Sequence, residues 1–201
     1  NIFLGIRLED YFMGRVKFYT ALILARLAYI AIRLLNRSSG TSFVGMLTLK
    51  ICPNFLSYCQ KYVNKSVTVT GTNGKTTTSG LLAYILEEAK ADVLHNLKGA
   101  NMLTGIANAF ALNLNLFKKF DYAILEADEA YLTKLYDYFK ADSLLVTNLF
   151  RDQLDRYGEL STTARFIQNA IDKNENLSLV LNADDPLVTN FGKNRSAKYY
   201  G

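Results

Sequence analysis

Val67-Thr68-Val69-Thr70-Gly71-Thr72-Asn73-Gly74-Lys75-Thr76-Thr77-Thr78 is the stretch that decides the fold of this 201-residue chain. Its alternating valines and threonines are typical of a buried strand. Gly71 and Gly74 then interrupt the pattern, and glycine lets backbone N–H groups approach an anion without a Cβ in the way. Lys75 is placed to reach the outer phosphates of a nucleotide, and the Thr76 hydroxyl to hold Mg²⁺ at a helix N-terminus. The stretch therefore predicts a strand, a phosphate-binding loop and a helix in direct succession.

The contacts predicted for a bound nucleotide run from the first glycine of this loop into the first turn of the helix. They involve Gly71, Thr72, Asn73, Gly74, Lys75, Thr76 and Thr77. The match to the general P-loop is incomplete, because the position five before Gly74 is Val69 rather than glycine. An ordinary strand-to-helix turn is the other interpretation of this pattern.

After residue 66 the chain alternates between strand-like and helix-like patterns at the spacing of βαβ units. Strands are predicted at 66–70, 91–95, 122–126, 143–147 and 177–181. Helices are predicted at 76–90, 102–114, 129–139 and 162–173. This alternation predicts an α/β fold with a doubly wound, mostly parallel sheet. Ligands of such sheets bind beyond the carboxyl ends of the strands, where the loop also lies.

The N-terminal third of the chain has a different character. Helical, largely apolar patterns cover 16–35 and 43–62. Residues 1–65 hold nine Lys or Arg against two acidic residues, a net charge of +7, while the rest of the chain holds 14 against 16. We therefore divide the chain into a helical, basic arm at 1–62 and an ATP-binding domain at 63–201. Because the basic charge lies in the arm, it gives no reason to propose nucleic acid as a partner.

The stretch 16–35 is apolar and long enough to raise the question of a transmembrane helix. We expect an amphipathic helix instead, because four arginines fall along one line of it: Arg15, Arg26, Arg33 and Arg37. Leu22 and Tyr29 are expected on the opposite side. Two interpretations stay open: a helix packed on the domain with a solvated basic face, or a basic face turned towards anionic lipid.

Histidine and cysteine are too few for a metal site built from them. Cys52 and Cys59 are the only cysteines, and their spacing fits neither a zinc nor a redox motif, so we expect two packed thiols in a reducing cytoplasm. His95 is the single histidine. A structural or substrate-side hydrogen-bonding role is expected for it.

An acidic group follows the third predicted strand, as Glu126-Ala127-Asp128-Glu129. The apolar run before it ends on Glu126, so we assign Glu126 to Mg²⁺, together with Thr76. Asp128 and Glu129 stay open between metal ligand, substrate contact and cap of the following helix.

The wording of the loop, Gly-Thr-Asn-Gly-Lys-Thr-Thr-Thr, resembles the short P-loop of the Mur ligases, which form amide bonds through acyl phosphates. Three later segments resemble the same family and its MurT group, in the same order. These are 95–102, which ends in Gly-Ala-Asn-Met, 147–159, which contains Arg-Asp-Gln, and 181–186, which contains Asn-Ala-Asp-Asp. The resemblance covers 62–191, and in this family a glutamate at the place of Glu126 serves the magnesium site.

This resemblance implies roles for residues in each segment, with ATP and Mg²⁺ as cofactors. Lys75 and Glu126 are implied to be catalytic. The residues implied to bind the nucleotide beyond the loop are Asn148, Arg151, Asp152 and Asn182. Those implied to lie on the substrate side are Asn96, Gly99, Asn101 and Asp128.

The MurT group implies a specific reaction. The α-carboxylate of D-glutamate in the stem peptide of lipid II is activated as an acyl phosphate, and ammonia from a GatD-type glutaminase partner converts it to D-isoglutamine. We expect a cytoplasmic protein at the inner face of the membrane, because this substrate is lipid-linked. Family members also carry a four-cysteine zinc ribbon and a C-terminal domain with a catalytic aspartate. Neither precedes Gly201, so zinc is expected only outside this chain, which alone should bind ATP without completing the amidation.

Two departures from the conventional Mur pattern narrow the alternatives. The histidine of the family segment Asp-His-Leu-Asp is Gln153 here, and the position of its carbamylated lysine is Ile167. Both count against an amino-acid-adding Mur ligase. Thr76 and Thr77 after Lys75, in place of Gly-Ser, count against a folylpolyglutamate synthase. A non-catalytic, nucleotide-dependent scaffold is the remaining alternative, and hydrolysis that depends on substrate and glutamine would distinguish an enzyme from it.

Overall fold

The computed structural model of the chain describes residues 2–35, 40–96, 100–150, 159–193 and 195–201, and for 2–11, 40–41 and 159–160 it describes the backbone only. The strands are β1 (Val63–Thr70), β2 (Val93–His95), β3 (Phe120–Glu126), β4 (Ser143–Val146), β5 (Ser178–Asn182) and β6 (Ala197–Tyr200). The helices are α1 (Ile2–Leu34), α2 (Gly40–Ile51), α3 (Phe55–Cys59), α4 (Lys75–Glu88), α5 (Leu103–Asn113), α6 (Glu129–Leu135), α7 (Glu159–Asp172) and α8 (Pro186–Thr189). Short 3-10 helices cover Gln60–Tyr62 and Asn190–Gly192.

The six strands form one sheet in the order β2-β3-β1-β4-β5-β6, and each described pairing is parallel. This confirms the predicted α/β fold with a mostly parallel sheet. The register pairs Val69 with Glu126 on one side of β1 and Thr70 with Val146 on the other. The carboxyl ends of β1, β3 and β4 therefore lie side by side, with the glycine loop leaving the middle one.

The strand predictions differ from the structure mainly at the exposed positions. β1 begins at Val63 rather than at residue 66, because Asn64 and Lys65 are exposed and hide the start of the strand in the sequence. β6 was not predicted at all. Its residues at the sheet edge are mostly exposed, so the strand lacks the buried alternation that marks the others.

One hydrophobic core joins the N-terminal helices to the sheet. Phe18 and Leu22 of α1 are buried in it, and the Phe18 ring stacks on Phe55 of α3 at 5.2 Å between centroids. Cys52 and Cys59 lie in the same core as free thiols, which confirms the expectation of packed cysteines. Burial holds the pKa of the Cys59 thiol well above its ordinary value, so it stays neutral.

The arginines of α1 do not lie opposite Leu22 and Tyr29, so this part of the sequence analysis was wrong. Positions seven apart fall on the same face of an α-helix, which places Arg15 in line with Leu22 and Tyr29. Leu22 is buried against the domain, Tyr29 is partly buried, and Arg33 lies over the Tyr29 ring at 5.9 Å. Arg37 lies outside the described residues. The arginines therefore flank the packed face of the helix.

Arg26 shows what one of these charges does. Its Nε donates to the Ala111 carbonyl at 3.0 Å, and its Nη2 donates to the Leu114 carbonyl, both at the C-terminal end of α5. A cation at a helix C-terminus satisfies carbonyls that lack a partner within the helix and opposes the negative end of the helix dipole. Arg26 thus fastens α1 to α5, as in the packed-helix interpretation. Within the described residues, no helix combines the length and apolar character needed to cross a membrane.

The packing of α2 on α5 depends on the absence of a side chain at Gly45. A Cβ there would lie 1.8 Å from the backbone oxygen of Thr104 in α5. We expect Gly45→Ala to lower the free energy of unfolding by about 1–3 kcal/mol, because backbone atoms must move apart. Urea denaturation would measure this, with Gly80→Ala of α4 as the control.

Gly80 has open space around the same Cβ position, so alanine there should leave stability unchanged or raise it slightly. Equal stability of Gly45→Ala and the natural protein would mean that α2 does not approach α5 this closely.

Candidate functional site

The glycine loop lies between β1 and α4, at the carboxyl edge of the sheet. Gly71 has a φ of 124° and Gly74 a φ of 83°, which is backbone that other residues adopt only with strain. A Cβ on Gly71 would also lie 2.3 Å from the Thr147 hydroxyl oxygen. The two glycines are therefore needed for the shape of the loop, and the helix begins directly after it at Lys75.

The two residues that follow β4 hold this loop in place through hydrogen bonds. The Thr147 hydroxyl donates to the Asn73 carbonyl at 2.7 Å, and the Asn148 amide both accepts from Asn73 N at 3.0 Å and donates to its carbonyl at 3.1 Å. Thr72 N donates to the Asn148 carbonyl at 2.8 Å. Asn148, predicted to bind the nucleotide, thus holds the loop itself. Thr147 was not singled out, although a polar pair directly after a buried strand marks the same edge.

The side chain of Lys75 bends back along the loop instead of extending outward. Its Nζ donates to the Glu129 Oε1 at 3.0 Å, to the Thr72 carbonyl at 3.3 Å and to the Gly71 carbonyl. The same Glu129 oxygen accepts from Gly71 N at 3.1 Å. A carboxylate oxygen therefore receives the two donors, ammonium and loop amide, that a phosphate oxygen would receive in a phosphate-binding loop.

Glu129 is the functional candidate that the sequence analysis left undecided. It begins α6 but does not cap it, because the cap is Asp128, whose Oδ1 accepts from Ala130 N at 3.0 Å. The Lys75–Glu129 ion pair is mostly buried, with 14% and 13% of the side chains exposed. Asp128, predicted on the substrate side, is this cap, and its own N–H donates to the Asn101 carbonyl at 3.0 Å.

Glu126 lies at the end of β3 with 2% of its surface exposed. Its Oε1 accepts from the Asn101 amide at 3.4 Å, while its Oε2 has no hydrogen-bond partner among the described residues. A buried carboxylate oxygen without a partner costs free energy unless a cation or donor reaches it. The described residues contain no cluster of three or more His, Cys, Asp or Glu that could hold a metal ion by itself.

Asn96 holds Glu126 in place rather than facing a substrate. It is fully buried, its Oδ1 accepts from Glu126 N at 2.8 Å, and its Nδ2 donates to the carbonyls of Glu126 and Ala100. This fixes the backbone on which the Glu126 carboxylate stands. His95 next to it is partly buried, with its Nε2 3.2 Å from the Ser79 hydroxyl, and burial lowers its pKa. Burial therefore favours its neutral form.

Asn182 and Asp185 lie at the carboxyl end of β5, at the same edge of the sheet as the glycine loop. The Asn182 amide, predicted to contact the nucleotide, donates to the Thr147 carbonyl at 2.8 Å. Asp185, which was not singled out, accepts from Leu149 N at 2.6 Å and caps α8. An aspartate followed by proline is a helix-start signal that could have identified it. Gly99, Arg151 and Asp152 of the predicted site lie outside the described residues.

The contact between Glu129 and the loop leads to a prediction for nucleotide affinity. We expect Glu129→Gln to lower the dissociation constant for ATP by about three- to tenfold, because a nucleotide must otherwise displace the Glu129 carboxylate from Lys75 and from the Gly71 amide. Calorimetric titration with a non-hydrolysable ATP analogue would measure it. Glu88→Gln, an exposed residue at the other end of α4, removes the same charge as a control. Weaker binding in Glu129→Gln would mean that this carboxylate serves the bound nucleotide directly.

Comparison with known proteins identifies a match for most of the chain. Residues 69–200 match the Mur ligase middle domain family. The chain is 39% identical over 166 residues to the MurT subunit of lipid II isoglutaminyl synthase (glutamine-hydrolyzing) from Streptococcus pneumoniae. This aligned region covers 83% of this chain and 36% of that protein. The corresponding subunit from Staphylococcus aureus is 36% identical over 171 residues, or 85% of this chain and 38% of that protein. The chain therefore spans well under half the length of these relatives.

Solved structures of Mur ligases share this fold. A MurF structure from Acinetobacter baumannii superposes with a TM-score of 0.64 and 17% identity, over 79% of this chain and 35% of that one. MurF ligase from Thermotoga maritima in complex with ADP superposes with a TM-score of 0.59 and 22% identity, over 82% of this chain and 37% of that one. At these identities the likeness concerns the fold.

Proposed function

Because the chain belongs to the Mur ligase family, we propose that it forms the ATP-binding part of a MurT-type lipid II isoglutaminyl synthase. Identities of 39% and 36% to two MurT subunits, over more than four fifths of this chain, support this choice within the family. The observation that carries the proposal is the contact between the loop and a carboxylate oxygen. One carboxylate oxygen of Glu129 accepts from both Lys75 and the Gly71 amide, so the loop has the donors that a phosphate needs.

The proposed reaction has two steps. An oxygen of the α-carboxylate of D-glutamate in lipid II attacks the γ-phosphorus of ATP, the bond to ADP breaks, and an acyl phosphate forms. Ammonia then attacks the acyl carbon, loses a proton and expels phosphate, which leaves the amide of D-isoglutamine. The phosphate released at the end carries one oxygen atom that belonged to the carboxylate.

In this reaction the residues of this chain bind and orient phosphoryl groups. Lys75 and the amides of the loop at 71–74 would stabilise negative charge as the phosphoryl group moves. Thr76 and the unpartnered oxygen of Glu126 would hold Mg²⁺, which supplies positive charge against the phosphate oxygens. Asn96, Thr147 and Asn148 keep these groups in place through the contacts described above. Roles in nucleotide binding for Arg151, Asp152 and Asn182 belong to the same proposal.

The proposal includes partners and a location. A GatD-type glutaminase supplies the ammonia, and lipid II is the substrate, so the protein works in the cytoplasm at the inner face of the membrane. The two free, buried cysteines are compatible with a reducing compartment. Zinc and a catalytic aspartate belong, in this proposal, to the part of the protein that follows this chain.

Isotope transfer would test the acyl phosphate step. The full-length protein would be incubated with ATP, Mg²⁺, ammonium chloride and lipid II labelled with ¹⁸O in the α-carboxylate of D-glutamate. We expect one ¹⁸O atom in each phosphate released, and no phosphate release without lipid II. Phosphate free of ¹⁸O would mean that water attacks ATP, and the proposal would then be wrong.

A further inference from the structure

The outward face of α1 is apolar over most of its described side chains. Six residues define what we call the outer stripe: Val16, Ile23, Leu24, Leu27, Ile30 and Leu34, all of them exposed. At 100° per residue they fall within about 120° of the helix circumference, and from the first to the last they span about 27 Å. A row of exposed apolar side chains of this length is a candidate binding surface.

The opposite face of the same helix is also apolar, and it is already used. Phe18, Ala21, Leu22 and Ala25 are buried against α2, α3 and α5, and Arg26 fastens the helix to the end of α5. The outer stripe therefore does not arise from a loosely placed helix that could turn its apolar side inward. It is presented outward by a helix held firmly on the domain.

Among the side chains that the structure describes, the charges beside the outer stripe are basic. Arg15 and Arg33 lie along one of its borders and Lys17 along the other, and all three are exposed. Between residues 11 and 65 the chain has eight Lys or Arg and no Asp or Glu. An apolar helix face bordered by cations is the pattern of helices that lie in the plane of a membrane surface and attract anionic lipid.

We propose that the outer stripe of α1 lies in the interfacial layer of an anionic bilayer, with the helix parallel to the membrane plane. This rests on the proposed function in that a lipid-linked substrate requires work at a membrane. Lipid is favoured over a protein partner because the surface is the convex side of a single helix, and because its cationic borders match anionic headgroups. The contact is made by the apolar face, and the arginines flank it.

Sedimentation with vesicles tests this proposal on the full-length protein. The vesicles contain phosphatidylglycerol and phosphatidylcholine without lipid II or ATP, so that failure here is separate from failure of the amidation chemistry. The variant Ile23→Asp/Leu27→Asp places two charges in the stripe, where the natural side chains are 59% and 55% exposed. The matched control is Leu81→Asp/Ile85→Asp on α4, with the same spacing and 58% and 54% exposure.

We expect binding of the natural protein and the control, and a loss of about tenfold or more in vesicle affinity for the stripe variant. Binding should weaken on vesicles of phosphatidylcholine alone. Amidation of detergent-solubilised lipid II should be unchanged by the stripe variant. The proposal would be overturned if the natural protein failed to bind vesicles, or if the stripe variant bound them as tightly as the natural protein. It would also be overturned if the stripe variant changed the oligomeric state instead of vesicle binding, which would indicate a protein partner on the stripe.

Discussion

Replacing Lys75 with alanine is expected to raise the dissociation constant for ATP by about 100-fold or more, since each hydrogen bond from a charged donor contributes about 1.5–3 kcal/mol. The Lys75 ammonium is the one side-chain cation in contact with the loop among the described residues, where it bonds to the Gly71 and Thr72 carbonyls and to Glu129. Its removal takes this positive charge away from the phosphates, while the backbone amides of the loop remain. Calorimetric titration of the full-length protein with a non-hydrolysable ATP analogue measures the loss.

A matched control separates this effect from a general loss of positive charge. Lys134→Ala removes an exposed lysine of the neighbouring helix α6 and should leave the affinity for ATP unchanged. A urea denaturation curve shows whether Lys75→Ala stays folded, because the substitution leaves the mostly buried Glu129 carboxylate without its ion-pair partner. Unchanged nucleotide affinity in Lys75→Ala would contradict the assignment of the loop.

Glu126→Gln is expected to raise the Mg²⁺ concentration needed for half-maximal ATP turnover by about tenfold or more, because one of the two residues proposed to hold Mg²⁺ loses its charge. Glutamine has nearly the same shape and can keep the contact with Asn101. The free energy of unfolding should stay the same or rise. In the natural protein the buried oxygen without a partner is part of a carboxylate, which is costly to bury, and the substitution removes its charge.

These two readouts together distinguish a functional carboxylate from a structural one. A Mg²⁺ titration of lipid II-dependent turnover and a urea denaturation curve would be recorded on the same preparation. A normal Mg²⁺ titration in Glu126→Gln would move the metal to another acidic residue. A large loss of stability without a change in Mg²⁺ dependence would make Glu126 a structural group.

The loop could be predicted from the sequence because its signals are local. The strand pattern before Gly71, the two glycines and the lysine that starts the helix lie within a few residues, and each has a physical requirement that other residue types meet poorly. The same holds for the five predicted strands, each of which has buried, β-branched or apolar residues next to a turn.

The contacts that complete the site could not be predicted, because they join distant parts of the chain. Lys75 and Glu129 are 54 positions apart, and Asn96 is 30 positions from the Glu126 backbone that it holds. A sequence indicates that such polar groups lie at the same sheet edge, but strand order and register decide which atoms meet. Asn96 was therefore expected near a substrate, whereas it is fully buried and hydrogen-bonded to the backbone of Glu126.

The N-terminal helix was misread for a different reason. Both faces of α1 are apolar, so periodicity alone does not show which one packs on the domain. The deciding group is Arg26, whose guanidinium contacts the carbonyl groups at the end of α5. A charged residue within an apolar pattern ordinarily indicates a solvent-facing position. Arg26 instead lies at the border of the face that packs on the domain.

The mass of the product tests the proposal that the full-length protein amidates a lipid-linked carboxylate at the expense of ATP. The full-length protein and its glutaminase partner would be incubated with lipid II, ATP, Mg²⁺ and glutamine, and the lipid II analysed by mass spectrometry. We expect a product lighter by the difference between a hydroxyl and an amino group, and no such product with Lys75→Ala. A product heavier by an amino-acid residue would contradict it and indicate a conventional Mur ligase, and unchanged lipid II would contradict the substrate.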